Sequence, residues 1–287
     1  MMLKKSRGNL SKWLIVKLSN WITPNLNQLE NYPILNHKMD EKINHHLSEI
    51  RNDIEENGKI FFKEISFEHV LNYFNHSWQR WNCLISIVSK SKAKKILNIG
   101  CAYGFYDLIL KQKYGKDMIG ADLSRSIRDY SGYALNSGLD IVAWNVINEK
   151  PPFSDEEFDS VICAEVLEHI KYPPGQFFKK IKNLLKVDGE LILSTPNINR
   201  QSNIIRMING SNILEKFPEE IEEGEDVTNY IEHVREYTIG ELIDILESSG
   251  FNILKVVMCS RDNFIKGNKV RNSLVNDIIT IHAQKVV

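Results

Sequence analysis

The sequence has few of the residues that mark secreted, membrane-spanning or polyanion-binding proteins. Its four cysteines, among 287 residues, show no paired spacing, which predicts no disulfide or zinc site and favours a reducing, cytoplasmic compartment. No apolar run approaches the roughly 20 residues of a membrane span. The formal net charge of −1 gives no general attraction for nucleic acids. The chain is long enough to bury one large α/β core with additions.

An apolar strand that ends in a glycine turn is the most informative segment. The strand ends at Ile99, Gly100 and Gly104 bracket the turn, and an amphipathic helix is predicted from Phe105 to Tyr114. Strand, glycine turn and helix in this order let a cofactor approach the backbone of an α/β fold. The spacing G-x-A-x-G does not match the G-x-G-x-x-G pattern of dinucleotide-binding folds.

An acidic residue follows the next predicted strand. That strand runs from Met118 to Ala121, and Asp122 comes directly after it. A carboxylate at this strand end is placed to accept hydrogen bonds from the two hydroxyls of a ribose. Turn and acid together predict a cofactor that contains a nucleoside.

The turn resembles motif I of the class I S-adenosylmethionine-dependent methyltransferases, an acid followed by x-G-x-G-x-G. Asn98 stands where that family usually has the acid, and Ala102 replaces the middle glycine. Alanine is small enough to keep the turn, whereas Asn98 accepts a hydrogen bond without bringing charge to the cofactor's amino group. The resemblance implies that Asn98, Gly100, Ala102, Gly104 and Asp122 bind S-adenosylmethionine.

Further motifs of that family follow in the same order to the C-terminus. The resemblance implies an α/β fold with a doubly wound, seven-stranded mixed sheet, the Rossmann-like methyltransferase fold, preceded by a helical extension. It implies that Asn145, after the third strand, contacts the adenine amino group, and that Glu165, after the fourth, also borders the cofactor. Two last strands, near residues 251–259 and 277–284, would form an antiparallel hairpin at the sheet edge.

The chain divides into three predicted parts. Residues 1–36 form a basic amphipathic helix and a connector, residues 37–90 the helical extension, and residues 91–287 the methyltransferase domain. The helix within residues 1–29 carries five basic groups and no acid, which leaves two interpretations open. It contacts a membrane interface, making the cytoplasmic protein peripheral to a membrane, or it docks on the domain or a second subunit.

A predicted lid over the acceptor, residues 197–236, interrupts the alternation of strands and helices. Seven acidic residues fall within residues 215–226 of this segment. Beside the acceptor site they would repel a phosphate backbone, which disfavours nucleic acid and favours a small-molecule or saccharide acceptor. A solvated acidic loop is the alternative.

A second constellation carries the candidate chemistry. Glu165, Glu168 and His169 have the spacing i, i+3, i+4, which predicts one face of a helix after the fourth strand. His233 lies just before a helix that is predicted to begin at Thr238. All four should converge where strand ends bind ligands. Two carboxylates and imidazoles suit Mg²⁺ or Mn²⁺, or form a general-base cluster in which His169, His233 and Glu165 are the catalytic candidates.

The same pattern is similar to two groups within the family. E-x-x-E-H, then S-T-P-N and later H-x-x-E-Y-T resembles the metal-dependent small-RNA 3′-terminal 2′-O-methyltransferases, in which the corresponding four residues bind the metal. It also resembles the ubiquinone-biosynthesis O-methyltransferases and bacterial glycan and natural-product methyltransferases. The resemblance implies O-methylation of a small-molecule or saccharide hydroxyl. RNA 2′-O-methylation, an inactive cofactor-binding partner protein, and a purely structural cluster of capping glutamates remain alternatives.

Overall fold

One mixed sheet of eight strands organises the computed structural model, which describes residues 34–62, 65–214, 233–260 and 276–286. In chain order the strands are β1 Ile34–Asn36, β2 Lys95–Ile99, β3 Asp117–Asp122, β4 Asp140–Ala143, β5 Phe158–Ala164, β6 Leu185–Pro196, β7 Phe251–Cys259 and β8 Ile278–Lys285. The α-helices are α1 Glu41–Asn57, α2 Phe67–Val88, α3 Phe105–Tyr114, α4 Ser124–Tyr130, α5 Gly132–Asn136, α6 Pro174–Leu184, α7 Gln201–Ile208 and α8 Ile239–Ser248.

The strands lie side by side in the order β1-β7-β8-β6-β5-β2-β3-β4. The five strands β2 to β6 are all parallel to one another, whereas β8 runs antiparallel to its two neighbours, β6 and β7. The predicted mixed sheet is confirmed, including the antiparallel pairing of its last two strands, but β1 and not this pair forms the sheet edge. The predicted strand number is wrong by one, because β1 pairs in parallel with β7. A strand of three residues is too short to show a hydrophobic pattern.

Alternate residues of the central strands pack into two separate hydrophobic cores, one on each face of the sheet. Ile96 and Ile162 belong to the core that includes side chains of α1, α2 and α3. Leu97 and Val161 belong to the core that includes side chains of α6 and α8. Strands buried on both faces read as near-continuous apolar runs, and the central strands of this chain do so.

The two helices before β2 cover one face of the sheet. Asp40 caps α1, because its carboxylate accepts hydrogen bonds from the amides of Lys42 and Ile43. On α2, Phe74 and Trp81 are buried in the same core as the apolar residues of α3. The helical extension and the sheet therefore share a hydrophobic core, which fixes α2 beside the turn that follows β2.

Two predicted segments lie partly or wholly outside the described residues. The basic amphipathic helix falls within residues 1–33, and the acidic part of the lid falls within residues 215–232. Of the lid, the structure describes residues 197–214, which include α7, and residues 233–236. Predictions about membrane contact and the acidic segment stay predictions.

Candidate functional site

The turn after β2 has the left-handed backbone that its glycines predict. Gly100, Ala102 and Gly104 all have positive φ angles, of 75°, 47° and 67°. A methyl group added at Gly100 would overlap the side chain of Val166, so only glycine fits there. Gly104 is the N-cap residue of α3, so the turn leads directly into the first amides of that helix.

Asp122 ends β3 and holds this turn in place. One carboxylate oxygen accepts a hydrogen bond from the Ala102 amide at 2.8 Å, and the other accepts one from the Leu123 amide at 2.7 Å. Burial raises the pKa of Asp122, although both amides oppose the shift. Because β2 and β3 are parallel neighbours, Asp122 and the turn lie at the same edge of the sheet. Asp122, which is predicted to bind the ribose of the cofactor, is thus in contact with the turn that is predicted to lie against the cofactor.

A small cavity lies between the turn and α2. It is lined by Gly100 and Gly104 of the turn, by Tyr73 and Arg80 of α2, and by Ala164 at the end of β5, among others. The cavity therefore lies at the carboxyl ends of the parallel strands, where open α/β sheets bind ligands.

Arg80 is a buried cation in the wall of this cavity. Its guanidinium pairs with the Glu165 carboxylate at 3.0 Å and donates hydrogen bonds to Ser77 Oγ and Tyr73 Oη. Its Nε lacks a hydrogen-bond partner among the described residues. The sequence pattern does not single out Arg80, because one arginine within an apolar helical stripe has no motif of its own.

Glu165 does not begin a helix, which corrects the prediction of a shared helical face. Its φ angle is 56°, and after Val166 the chain makes only a 3₁₀ turn, Leu167–His169. Besides the ion pair with Arg80, its carboxylate accepts a hydrogen bond from Ser194 Oγ at 3.1 Å. Glu165 therefore faces the cavity side of the site rather than the two histidines.

Glu168, His169 and His233 form a compact group of candidate metal ligands or bases. One ligand atom from each lies within 4.8 Å of those of the other two, and the imidazole centroids are 5.0 Å apart. Glu168 is fully buried. Burial and then the nearby Glu165 carboxylate raise its pKa well above the usual range.

Backbone hydrogen bonds bring His233 to this group. The Glu168 carbonyl accepts hydrogen bonds from the amides of Val234 and Arg235, at 2.7 and 3.2 Å. On the side chain, Glu168 Oε2 accepts a hydrogen bond from Thr195 Oγ1, whereas Oε1 has no hydrogen-bond partner among the described residues. Three of the four predicted metal ligands are therefore together, and Glu165 is outside the group.

Glu236 is a site residue that the sequence analysis misses. Its carboxylate accepts hydrogen bonds from Arg200 and from Asn203, and lies 3.0 Å from His233 Nδ1. Burial alone would raise the pKa of Glu236, but the contacts with His233 and Arg200 lower it to about 2. The spacing H-x-x-E is visible in the sequence, yet in a loop it has no fixed geometry.

Asn145 lies just after β4, as predicted. Its side-chain oxygen accepts hydrogen bonds from the amides of Ile147 and Asn148, which caps the following turn. Contact between Asn145 and an adenine stays a prediction.

Comparison with known proteins supports the interpretation of this site. A model of the methyltransferase domain family matches residues 35–256. The chain belongs to this family. The prediction of a class I S-adenosylmethionine-dependent methyltransferase is thereby confirmed at the level of the family. Among the described residues of this methyltransferase, no helix is long and apolar enough to cross a bilayer.

Curated relatives of this methyltransferase carry the name ubiquinone biosynthesis O-methyltransferase. The protein of Roseobacter denitrificans is 30% identical over 162 residues, which cover 56% of this chain and 61% of the relative. That of Leptothrix cholodnii is 28% identical over 142 residues, covering 48% and 60%. The chain matches about three fifths of the length of these relatives.

Solved structures show the same fold. A SAM-dependent methyltransferase from Thermotoga maritima superposes with a TM-score of 0.51 at 16% identity, over 76% of this chain and 97% of the other. One from Methanosarcina mazei superposes with a TM-score of 0.50 at 22% identity, over 71% and 97%. The Rossmann-like methyltransferase architecture of the chain is therefore shared with both.

Proposed function

We propose that the protein transfers a methyl group from S-adenosylmethionine to a hydroxyl group of a small molecule or saccharide. One observation carries this proposal: the half-buried His233 pairs with the buried Glu236 beside Glu168 and His169, and these two residues follow β5, whose last residue, Ala164, borders the cavity. Family membership supports the cofactor. The names of the curated relatives support an oxygen acceptor.

The residues around the cavity fit S-adenosylmethionine. Asp122 would accept hydrogen bonds from the ribose hydroxyls, and the glycine turn would lie against the cofactor. Arg80 would bind the carboxylate of its methionine part, because a planar guanidinium matches a carboxylate in geometry and charge. The Nε of Arg80, buried and without a partner among the described residues, is one donor available for this. When bound, the cofactor supplies an electrophilic sulfonium methyl group.

His233 is the proposed general base. When Nδ1 carries a proton and donates a hydrogen bond to Glu236, the lone pair of Nε2 can accept the proton of the acceptor hydroxyl. Arg200 holds the Glu236 carboxylate ionised, and that carboxylate stabilises the imidazolium that forms. A hydroxyl needs such help because it must lose its proton during methyl transfer.

A metal ion is the alternative way to activate the hydroxyl. Glu168, His169 and His233 would hold it, and the buried Glu168 Oε1, without a hydrogen-bond partner among the described residues, fits a cation. A carboxylate and two imidazoles form a donor set that suits Mn²⁺ better than Mg²⁺, and Glu165, which pairs with Arg80, does not belong to it. A bound divalent cation would lower the pKa of the acceptor hydroxyl. This group of residues is also the observation that favours RNA 2′-O-methylation as the second candidate function.

Methyl transfer from labelled S-adenosylmethionine to a panel of acceptors tests the proposal. The panel holds phenols, saccharides, amines and short RNAs with a free 3′-terminal ribose. We expect transfer to a phenol or saccharide and none to amines. Transfer to the RNA alone would establish the second candidate. Tight binding of S-adenosylhomocysteine without turnover of any acceptor would favour the inactive partner protein.

A further inference from the structure

Asn98 and Asp107 form a fully buried pair beneath the cofactor turn. Both side chains have zero solvent exposure. The Asn98 amide nitrogen on β2 lies 2.9 Å from each carboxylate oxygen of Asp107, which is in the first turn of α3. The pair therefore spans the two elements that the glycine turn connects.

One atom of this pair has no partner. Asn98 Oδ1 is buried and accepts no hydrogen bond from any of the described residues. Buried polar atoms in native proteins are nearly always paired, so an unpaired acceptor two residues before Gly100 points to a donor from a ligand. The cofactor's ammonium group is such a donor, and Asn98 occupies the motif position at which the family usually has an acid.

A structural role alone explains Asp107 poorly. Burial raises the pKa of this carboxyl to about 7, against the effect of its hydrogen bonds with Asn98 and its own backbone. A buried carboxylate whose hydrogen-bond donors are all neutral destabilises the fold relative to an apolar residue of similar size. Asp107 directly follows Tyr106 on α3, and Tyr106 lines the cavity.

We propose that Asp107 supplies, through Asn98, the negative charge that the ammonium group of the cofactor's methionine part requires. This inference rests on the proposed function. The carboxylate polarises the Asn98 amide, which makes Oδ1 a stronger acceptor. The positive ammonium group in turn favours the ionised form of Asp107, and the two charges attract each other across a site of low dielectric constant. Asp107 is thus a positioning residue, and the motif acid is displaced by nine positions along the chain.

The proposal is tested by measuring the affinities of two ligands in variants of Asp107 and in a double variant that exchanges the acid and the amide. S-adenosylhomocysteine contains the amino acid part, and 5′-methylthioadenosine lacks it. Asp107→Asn should weaken the binding of S-adenosylhomocysteine about 10-fold or more, because the hydrogen bond from the ammonium group to Asn98 loses the charge that strengthens it. The binding of 5′-methylthioadenosine should stay unchanged within about 2-fold. The swapped double variant, Asn98→Asp with Asp107→Asn, should recover most of the lost affinity because it returns the acid to the strand.

Calorimetry on the full chain gives the ratio of the two affinities. A loss of folded protein lowers the apparent binding of both ligands together and leaves the ratio unchanged. Asp107→Ser is a second neutral variant for the same comparison. The exposed Asp244→Asn on α8 is the matched control and should change neither affinity.

The outcomes separate this inference from the proposed function. An unchanged ratio in Asp107→Asn and Asp107→Ser, or a swapped variant that folds and stays weak, would overturn the inference alone. Wild-type protein that binds neither ligand would overturn the cofactor assignment and the inference together.

Discussion

At the scale of single residues, Asp122 has two tasks, and replacing its carboxylate removes both. It is proposed to bind the ribose and it holds the Ala102 amide. Asp122→Ala should weaken S-adenosylhomocysteine about 100-fold or more, because two charge-assisted hydrogen bonds are lost. Calorimetry measures the affinity, and Asp155→Ala, an exposed acid after β4, is the control. Unchanged affinity in Asp122→Ala would remove Asp122 from the cofactor site.

His233 is expected to act on the chemical step rather than on cofactor binding. His233→Ala should lower kcat about 100-fold or more, while the affinity for S-adenosylhomocysteine stays nearly the same. Glu236→Gln should lower kcat about 10-fold, because the imidazole keeps its position and loses the stabilising charge. Steady-state rates with labelled cofactor measure both effects. Equal losses of kcat and cofactor affinity would contradict the assignment of His233 as base.

Removing divalent ions with a chelator distinguishes activation of the acceptor hydroxyl by His233 from activation by a bound metal ion. If Glu168, His169 and His233 hold an ion, EDTA should abolish methyl transfer and Mg²⁺ or Mn²⁺ should restore it. Full activity in EDTA would leave His233 as the base and remove the metal. Binding of S-adenosylhomocysteine serves as the control, since it should be the same with and without chelator.

The raised pKa of Asp107 also predicts how the free energy of unfolding depends on pH. Its pKa rises from an ordinary value of 3.8 to about 7 on folding. Between these values the folded chain keeps a proton that the unfolded chain loses, so the free energy of unfolding falls as the pH rises from about 4 to about 7. Cys101 and Tyr106 stay neutral throughout, because burial raises the pKa of both. Urea unfolding of Asp107→Asn should show a shallower decline than the wild type, because Glu168 and Asp122, whose pKa values burial also raises, still contribute to it. An identical slope in both proteins would refute the assignment to Asp107.

At the scale of secondary-structure elements, local sequence signals predict some boundaries and miss others. The predicted start of α8 is confirmed: Thr238 is its N-cap and forms a capping box with Glu241. A capping box joins residues three positions apart, so it can be recognised from the sequence alone. The segment after β5 is different. The spacing of Glu165, Glu168 and His169 predicts a helix, but Glu165 has a left-handed backbone conformation and only a 3₁₀ turn follows it. Contacts with Arg80 and Ser194 fix Glu165 there, and no local pattern encodes them.

The capping box of α8 makes a testable contribution to stability. Thr238→Ala removes the side-chain acceptor of the Glu241 amide. We expect the free energy of unfolding to fall by about 1 kcal/mol, as for other N-cap replacements. Thermal or urea unfolding measures the change. Thr238→Ser keeps the acceptor and should retain most of the stability.

At the scale of the whole molecule, the fold was predictable because it depends on the order of buried strands. The central strands are rich in apolar residues, although Asn98 interrupts β2, and the order of motifs gives the topology. The candidate site was predictable only in part. Gly100 and Asp122 lie at strand ends and can be identified from the sequence, whereas Arg80 and Glu236 gain their roles from contacts between distant segments.

The N-terminal segment has a separable predicted role. Deleting residues 1–29 should leave the affinity for S-adenosylhomocysteine unchanged, because β1 and all described site residues remain. The deletion should reduce binding to anionic liposomes if the basic helix is interfacial. Co-sedimentation with vesicles of phosphatidylglycerol and phosphatidylcholine measures this. Full-length protein that ignores these vesicles would favour docking on the domain or on a second subunit.

The two backbone hydrogen bonds from Val234 and Arg235 to the Glu168 carbonyl have a consequence for the choice of acceptor. They hold the start of the His233 segment by main-chain atoms, which every residue except proline supplies. The preceding stretch of the lid can then change in length and composition while the imidazole keeps its place. If this stretch borders the acceptor as predicted, a change in it would alter which acceptor binds without displacing the proposed base.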